Sequence, residues 1–123
     1  MAETARVGVL VPSLFLRVPI EAGVRAAGGV PEAIAAVADA AAGPRVLVAD
    51  LEALGAEPAT AIRALVARGK DVLAFGPQAQ AQLLVACRAA GAVVLPRAVF
   101  LARLPELLAV ALSSGTVPGE RLR

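Results

Sequence analysis

Short apolar runs alternate along this chain with stretches in which apolar residues recur every three or four positions. The runs Arg6–Val11, Val46–Asp50, Val72–Phe75 and Ala92–Leu95 read as strands, each closed by a turn signal or a helix pattern. Pro58–Ala67 reads as an amphipathic helix. Ile62, Leu65 and Val66 share one face, Arg63 and Arg68 lie away from it, Pro58 suits the first turn, and Gly69 follows the end. Further helices are predicted over Ala79–Ala90, ending at Gly91, and over Val99–Leu112. The latter has Phe100, Leu101, Leu104, Leu107, Leu108 and Leu112 on a wide apolar arc. Pro105 lies inside that arc, which predicts a kink or a late start. Ser13–Ala27 also has helical spacing, with Leu14, Val18 and Val24 expected to face inward. Pro19 and Gly23 interrupt it, so the helix either starts near Pro19 or kinks there, and Gly28-Gly29 ends it.

One stretch supports two readings. Pro31–Ala42 fits a helix with Ile34, Val37, Ala38 and Ala41 on one face; a short strand at Val30–Ile34 followed by a two-turn helix fits as well. In the second reading Pro31 needs a sheet edge, because it has no N–H to give a ladder. Alternating β and α units of this length imply a parallel sheet with helices on both faces.

Composition narrows the possible chemistry. Hydrophobic residues make up 59% of the chain, but only three are Phe and none is Trp or Tyr, so the core must be built from Val, Leu, Ile and Ala. The net charge of +2 is spread over scattered arginines, with no basic stripe and almost no aromatic side chains to stack on bases, so no nucleic-acid partner is expected. With one cysteine and no histidine, a disulfide within the chain and a His-based triad are ruled out, and a zinc site has no ligand set. Cys87 falls mid-helix and reads as a small buried hydrophobe. No run approaches the roughly 20 apolar residues of a membrane span. Val7–Leu16 is preceded by Glu3, interrupted by Pro12 and followed by no cleavage site, so it reads as a first strand. A cytoplasmic protein without a membrane partner is expected.

Asp50 is the residue with the clearest chemical potential. It closes the run Arg45-Val46-Leu47-Val48-Ala49-Asp50 and so delivers a carboxylate to the C-terminal end of a strand, where open α/β sheets bind ligands. With Gly91-Ala92 leading into Val93-Val94, and with Leu95-Pro96 at the end of the fifth strand, this arrangement resembles the receiver domain of bacterial response regulators over about residues 6 to 112. The resemblance implies a three-layer α/β/α flavodoxin-like parallel sheet of order 2-1-3-4-5. It also implies that Asp50 occupies the phosphoacceptor position and that the Leu95–Pro96 peptide is cis. The segment before Asp50 is several residues short of the family pattern, so strand 2 is expected to be short or missing. A receiver-like domain over 1–112 and a mobile tail over 113–123 follow as the expected organisation.

The departures from that pattern define the functional expectation. Pro12-Ser13 stands where receivers carry the acidic pair that helps hold Mg²⁺; Phe75-Gly76 replaces the hydroxyl residue; Leu95 replaces the phosphate-pairing lysine; and Leu54 stands where the loop's proline belongs. The chain thus resembles a pseudo-receiver: a non-enzymatic, phosphorylation-independent protein-interaction module of signalling, without metal or cofactor. A small-ligand or enzymatic domain using Asp50, or a true phosphoacceptor with degraded chemistry, is the alternative. Ser13, Gly76, Gln78 and Arg97 are candidates to line a strand-end site, with Arg97 either paired to Asp50 or solvated. Helices four and five are the expected docking face for a protein partner or a second copy. On this expectation Leu83, Ala86 and Ala90 face the core, and Leu84 and Val85 point outward.

Overall fold

The computed structural model describes residues 5–113. In chain order the elements are β1 (Ala5–Leu10), α1 (Leu14–Ala26), β2 (Gly29–Ala33), α2 (Val37–Ala40), β3 (Val46–Asp50), a 3-10 turn (Leu51–Leu54), α3 (Pro58–Ala67), β4 (Asp71–Gly76), α4 (Ala81–Ala89), β5 (Val93–Pro96) and α5 (Arg97–Ser113). The strands form one parallel sheet in the order β2-β1-β3-β4-β5, the flavodoxin-like order expected of a receiver-like chain.

Strand pleat sorts the core into two layers. Val7, Val9, Val46, Val48, Leu73 and Phe75 pack against Ile20 and Val24 of α1 and Phe100, Leu104 and Leu108 of α5. The opposite face presents Leu10, Leu47, Ala49, Val72, Ala74 and Val94 to α2, α3 and α4 through Ala40, Ile62, Leu65, Leu84 and Cys87. With so few aromatics, the one ring contact is central: Phe75 and Phe100 lie 5.1 Å apart at 45°. Cys87 is fully buried and acts as a small hydrophobe.

Several expectations need correction. Strand 2 is neither short nor missing: β2 pairs with β1 at five positions, from Ala5 with Gly29 to Val9 with Ala33, and the Ile34 N–H donates to the Val9 carbonyl at 2.9 Å. The Pro31–Ala42 helix therefore does not form; Pro31 lies on the sheet's edge strand, and only the single turn of α2 remains. Five parallel pairings outweigh a helical pattern that opens with a proline. β1 is consequently an interior strand.

Helix α1 begins at Leu14 and continues through Pro19, so the late start is not used. Its inward face is Ile20 and Val24, whereas Leu14 and Val18 point to solvent. Gly23 permits the close approach of α5, since a Cβ there would lie 2.8 Å from Leu104 Cδ2. Helix α5 likewise starts early, at Arg97, and includes Pro105. The Leu95–Pro96 peptide is trans, contrary to the family expectation. β5 runs through Pro96 and α5 opens at the next residue, so no turn intervenes for a cis bond to shape. Ser113 is the last residue of α5; the remainder of the expected tail, 114–123, lies outside the described residues.

Candidate functional site at the strand ends

Because every strand is parallel, the residues following β1, β3, β4 and β5 gather along one edge of the sheet. Asp50 lies on this edge in the row Asp50–Phe75–Leu95, and the β1 register brings Val11 level with it. Its immediate neighbours in the sheet are thus apolar. Asp50 is 5% exposed, the one buried charged residue among those described. Its carboxylate caps the 3-10 turn, with Oδ1 accepting the Glu52 N–H at 3.0 Å.

Burial pushes the Asp50 carboxyl above its ordinary value. The Glu52 N–H opposes that shift, the Glu52 carboxylate adds to it, and Arg97 lowers it least of all. Of the two readings of Arg97, the pairing with Asp50 is not found among the described residues. Arg97 is the exposed first residue of α5, and Asp50 makes no ion pair within 4.0 Å among the described residues.

The remaining candidates share the edge without meeting Asp50. Ser13 precedes α1 and its carbonyl accepts the Arg17 N–H at 2.8 Å, but its hydroxyl makes no cap bond. Gly76 ends β4 in a tight place: a Cβ there would lie 2.9 Å from Leu51 Cδ1 and 3.1 Å from Leu84 Cδ2. Gln78 is exposed in the turn closed by Gln80 N–H to the Pro77 carbonyl at 3.0 Å. Among the described residues no three of Asp, Glu, His and Cys come together as a metal-binding group.

On the expected docking face, Leu84 needs correction: it is 4% exposed and packs in the core beneath α4, while Val85 beside it is 59% exposed. Ala86, expected inside, is exposed instead. The rotation brings Leu84 and Cys87 inward, which leaves Ala81, Val85 and Ala86, with Gln82, around a shallow hollow on the outer side of α4.

A larger apolar surface lies on α1. Leu14, Phe15 and Val18 are 61%, 92% and 58% exposed and border a hollow of about 340 Å³. The sequence holds a sign of it, because α1 has apolar residues around most of its circumference and one packing partner can cover only part of them. The charged side chains near the sheet are concentrated at its opposite edge. There Arg45 Nη1 bonds Asp71 Oδ2 at 2.6 Å and Nη2 bonds the Ala111 carbonyl at 2.9 Å, while Lys70 Nζ bonds the Gly43 carbonyl at 2.6 Å.

No model of a known protein family matches this chain, and no curated protein matches it either. Solved structures do. A signal receiver domain from Vibrio parahaemolyticus has a TM-score of 0.76 at 17% identity, covering 98% of this chain and 97% of its own. The receiver domain of a sensor histidine kinase from Pseudomonas aeruginosa, solved with a magnesium ion coordinated in the active-site cleft, has a TM-score of 0.71 at 19% identity, covering 90% and 99%. A response regulator from Thermotoga maritima has a TM-score of 0.66 at 15% identity, covering 89% and 100%. The fold is thus the flavodoxin-like fold of receiver domains. Among the described residues no helix is long and apolar enough to cross a membrane.

Proposed function

We propose that this chain is a protein-interaction module of signalling whose output does not depend on phosphorylation of Asp50. The observation that carries the reading is the setting of that carboxylate. It is buried in an apolar row, its capping bond goes to its own turn, and its pKa is raised rather than lowered. A phosphoacceptor needs an accessible carboxylate together with groups that neutralise the incoming phosphoryl oxygens, and Asp50 is enclosed.

Magnesium is the ion this fold implies, given the ion in the Pseudomonas receiver domain. The residues here do not fit it. Mg²⁺ takes octahedral oxygen ligands, usually one or two carboxylates with water and phosphate. Pro12-Ser13 offers a hydroxyl and no carboxylate, and Asp50 is enclosed. Gly76 supplies no hydroxyl, and Leu51 and Leu84 occupy the space a side chain there would need.

Thermal melting of the wild type and Asp50→Asn, with and without Mg²⁺ plus beryllofluoride, tests the proposal. The expected result is no shift in either protein. A wild-type shift absent from the variant would overturn it and favour the phosphoacceptor reading, which draws on Asp50 closing β3 in this fold. Saturation at a hundredfold over Kd would stabilise by about 2.7 kcal/mol.

A further inference from the structure

We propose that Arg88 locks the edge strand β5. By holding the Val94 carbonyl it denies that strand to an added one, and its removal lets β5 pair with β5 of a second copy of this chain. Asp50 and its phosphorylation play no part in this. The backbone directions follow from one bond and the strand registers. The Asp71 N–H donates to the Arg45 carbonyl at 2.8 Å, so the N–H and C=O groups of Asp71, Leu73 and Phe75 turn toward β3. Backbone groups alternate sides along a strand, so those of Val72, Ala74 and Gly76 turn toward β5. In a parallel ladder a residue bonds to the two neighbours of the residue opposite it. Ala74 lies opposite Val94, so it bonds to Val93 and Leu95, and the N–H and C=O of Val94 turn outward. Pro96 turns outward as well, where its missing N–H costs the ladder no bond.

Two contacts from α4 close this outward row. Arg88 Nε donates to the Val94 carbonyl at 2.8 Å, and the Ala92 N–H donates to the Cys87 carbonyl at 3.5 Å. The Val94 N–H is then the one outward donor of β5 without an acceptor among the described residues. Without the lock, a second copy is the strand that fits. Two β5 strands placed antiparallel about a two-fold axis at Val94 set Val94 opposite itself. A pair opposed in this way exchanges two bonds, each N–H to the other's carbonyl. Arg88 occupies that carbonyl in both copies. The sheet's other outer strand is closed differently. The Ile34 N–H donates to the Val9 carbonyl at 2.9 Å, so Glu32 and Ile34 turn toward β1 and Pro31 turns outward in the middle of β2. A proline removes a donor permanently, whereas the bond from the exposed Arg88 side chain can be released.

Sedimentation velocity of the full chain over a concentration series tests the proposal. Arg88→Met keeps an aliphatic stem and removes the donor. It is expected to self-associate at least about tenfold more tightly than the wild type, because the freed carbonyl and the Val94 N–H find partners in a second copy. Arg63→Met lowers the net charge equally from an exposed position on α3 and should behave as the wild type. Adding Val93→Lys to Arg88→Met should restore wild-type behaviour, since Val93 is exposed on β5 and a lysine there lines the joined strands with like charges. Amide hydrogen exchange of the wild type gives a reading that needs no variant. The Val94 N–H should exchange faster than the Leu95 N–H, which bonds to Ala74. Equal self-association of Arg88→Met and the wild type would overturn the proposal. So would an association that Val93→Lys leaves intact or Arg63→Met reproduces, or a Val94 N–H protected as well as that of Leu95.

Discussion

The two edges of this sheet contain similar kinds of residue and use them differently. At the edge where the strands begin, charged side chains bond outward to other elements. Arg45 reaches Asp71 on the neighbouring strand and the Ala111 carbonyl near the end of α5, and Lys70 reaches the Gly43 and Pro44 carbonyls ahead of β3. At the edge where the strands end, Asp50 bonds within its own turn, while Arg97 and Gln78 are exposed. Receiver-type chemistry would belong to the second edge. Here the charged contacts are concentrated at the first, where they fasten elements far apart in sequence, and the second is filled by Leu51, Phe75, Leu84 and Leu95. On the proposed function, position at a strand end does not by itself make a carboxylate a reactive group; its neighbours decide.

The sharpest way to break this comparison is at Arg45. Arg45→Ala removes a charge-assisted bond to Asp71 and a bond holding the C-terminal turn of α5, and should lower stability by about 2 kcal/mol in chemical denaturation. A loss no larger than that of an exposed arginine such as Arg63→Ala would show that the fastening role is overstated.

The next effect lies at the opposite edge. Gly76→Ser restores a hydroxyl near the position where receivers carry one, but its Cβ would press on Leu51 and Leu84. A destabilisation of roughly 1–2 kcal/mol is expected from overpacking, with no gain in beryllofluoride response. A variant that melts like the wild type and responds to the mimic would show that the edge retains room for chemistry.

Lys70→Met should cost less, about 1 kcal/mol, by removing the ammonium from two carbonyls while keeping most of the aliphatic stem. Equal melting temperatures for variant and wild type would reduce the Lys70 contacts to solvated ones.

The smallest effect has the opposite sign. Asp50→Asn keeps an oxygen for the Glu52 N–H and removes a buried charge, so it should raise stability at neutral pH. The folded chain holds the Asp50 proton to higher pH than the unfolded chain does. Its contribution to stability therefore falls as pH climbs from the unfolded value near 3.8 through the raised folded value. The advantage of Asn should be greatest above that window and shrink as pH drops through it. Stability curves for the two proteins that run parallel from pH 3 to 7 would contradict the assigned burial of the charge.

Much of this organisation is legible in the residues alone. Pro58–Ala67 forms the predicted helix with its predicted ends, and Asp50 closes β3 as its apolar run implies. Local signals suffice there: a first-turn proline, a glycine at φ 83° after the helix, and a run of branched and small apolar residues. The candidate site was legible only as a set of positions. Ser13, Gly76, Gln78 and Arg97 do share an edge with Asp50, because parallel strands bring their ends together, yet their contacts could not be read. Arg45 and Asp71 illustrate why: their bond joins residues 26 apart and exists only because β3 and β4 pair in one register.

What the sequence determined by itself was the alternation of elements and hence the layered sheet, since both follow from short-range periodicity and turn chemistry. Tertiary structure decided the rest. It converted 29–33 into an edge strand, because five pairings with β1 outweigh a helical pattern that begins only at Pro31. It turned α1 so that Ile20 and Val24 are buried and Phe15 is not, and turned α4 so that Leu84 is buried and Val85 is not. Helices with apolar residues on most sides carry little rotational information of their own, so the shape of the surface beneath them sets which side is covered.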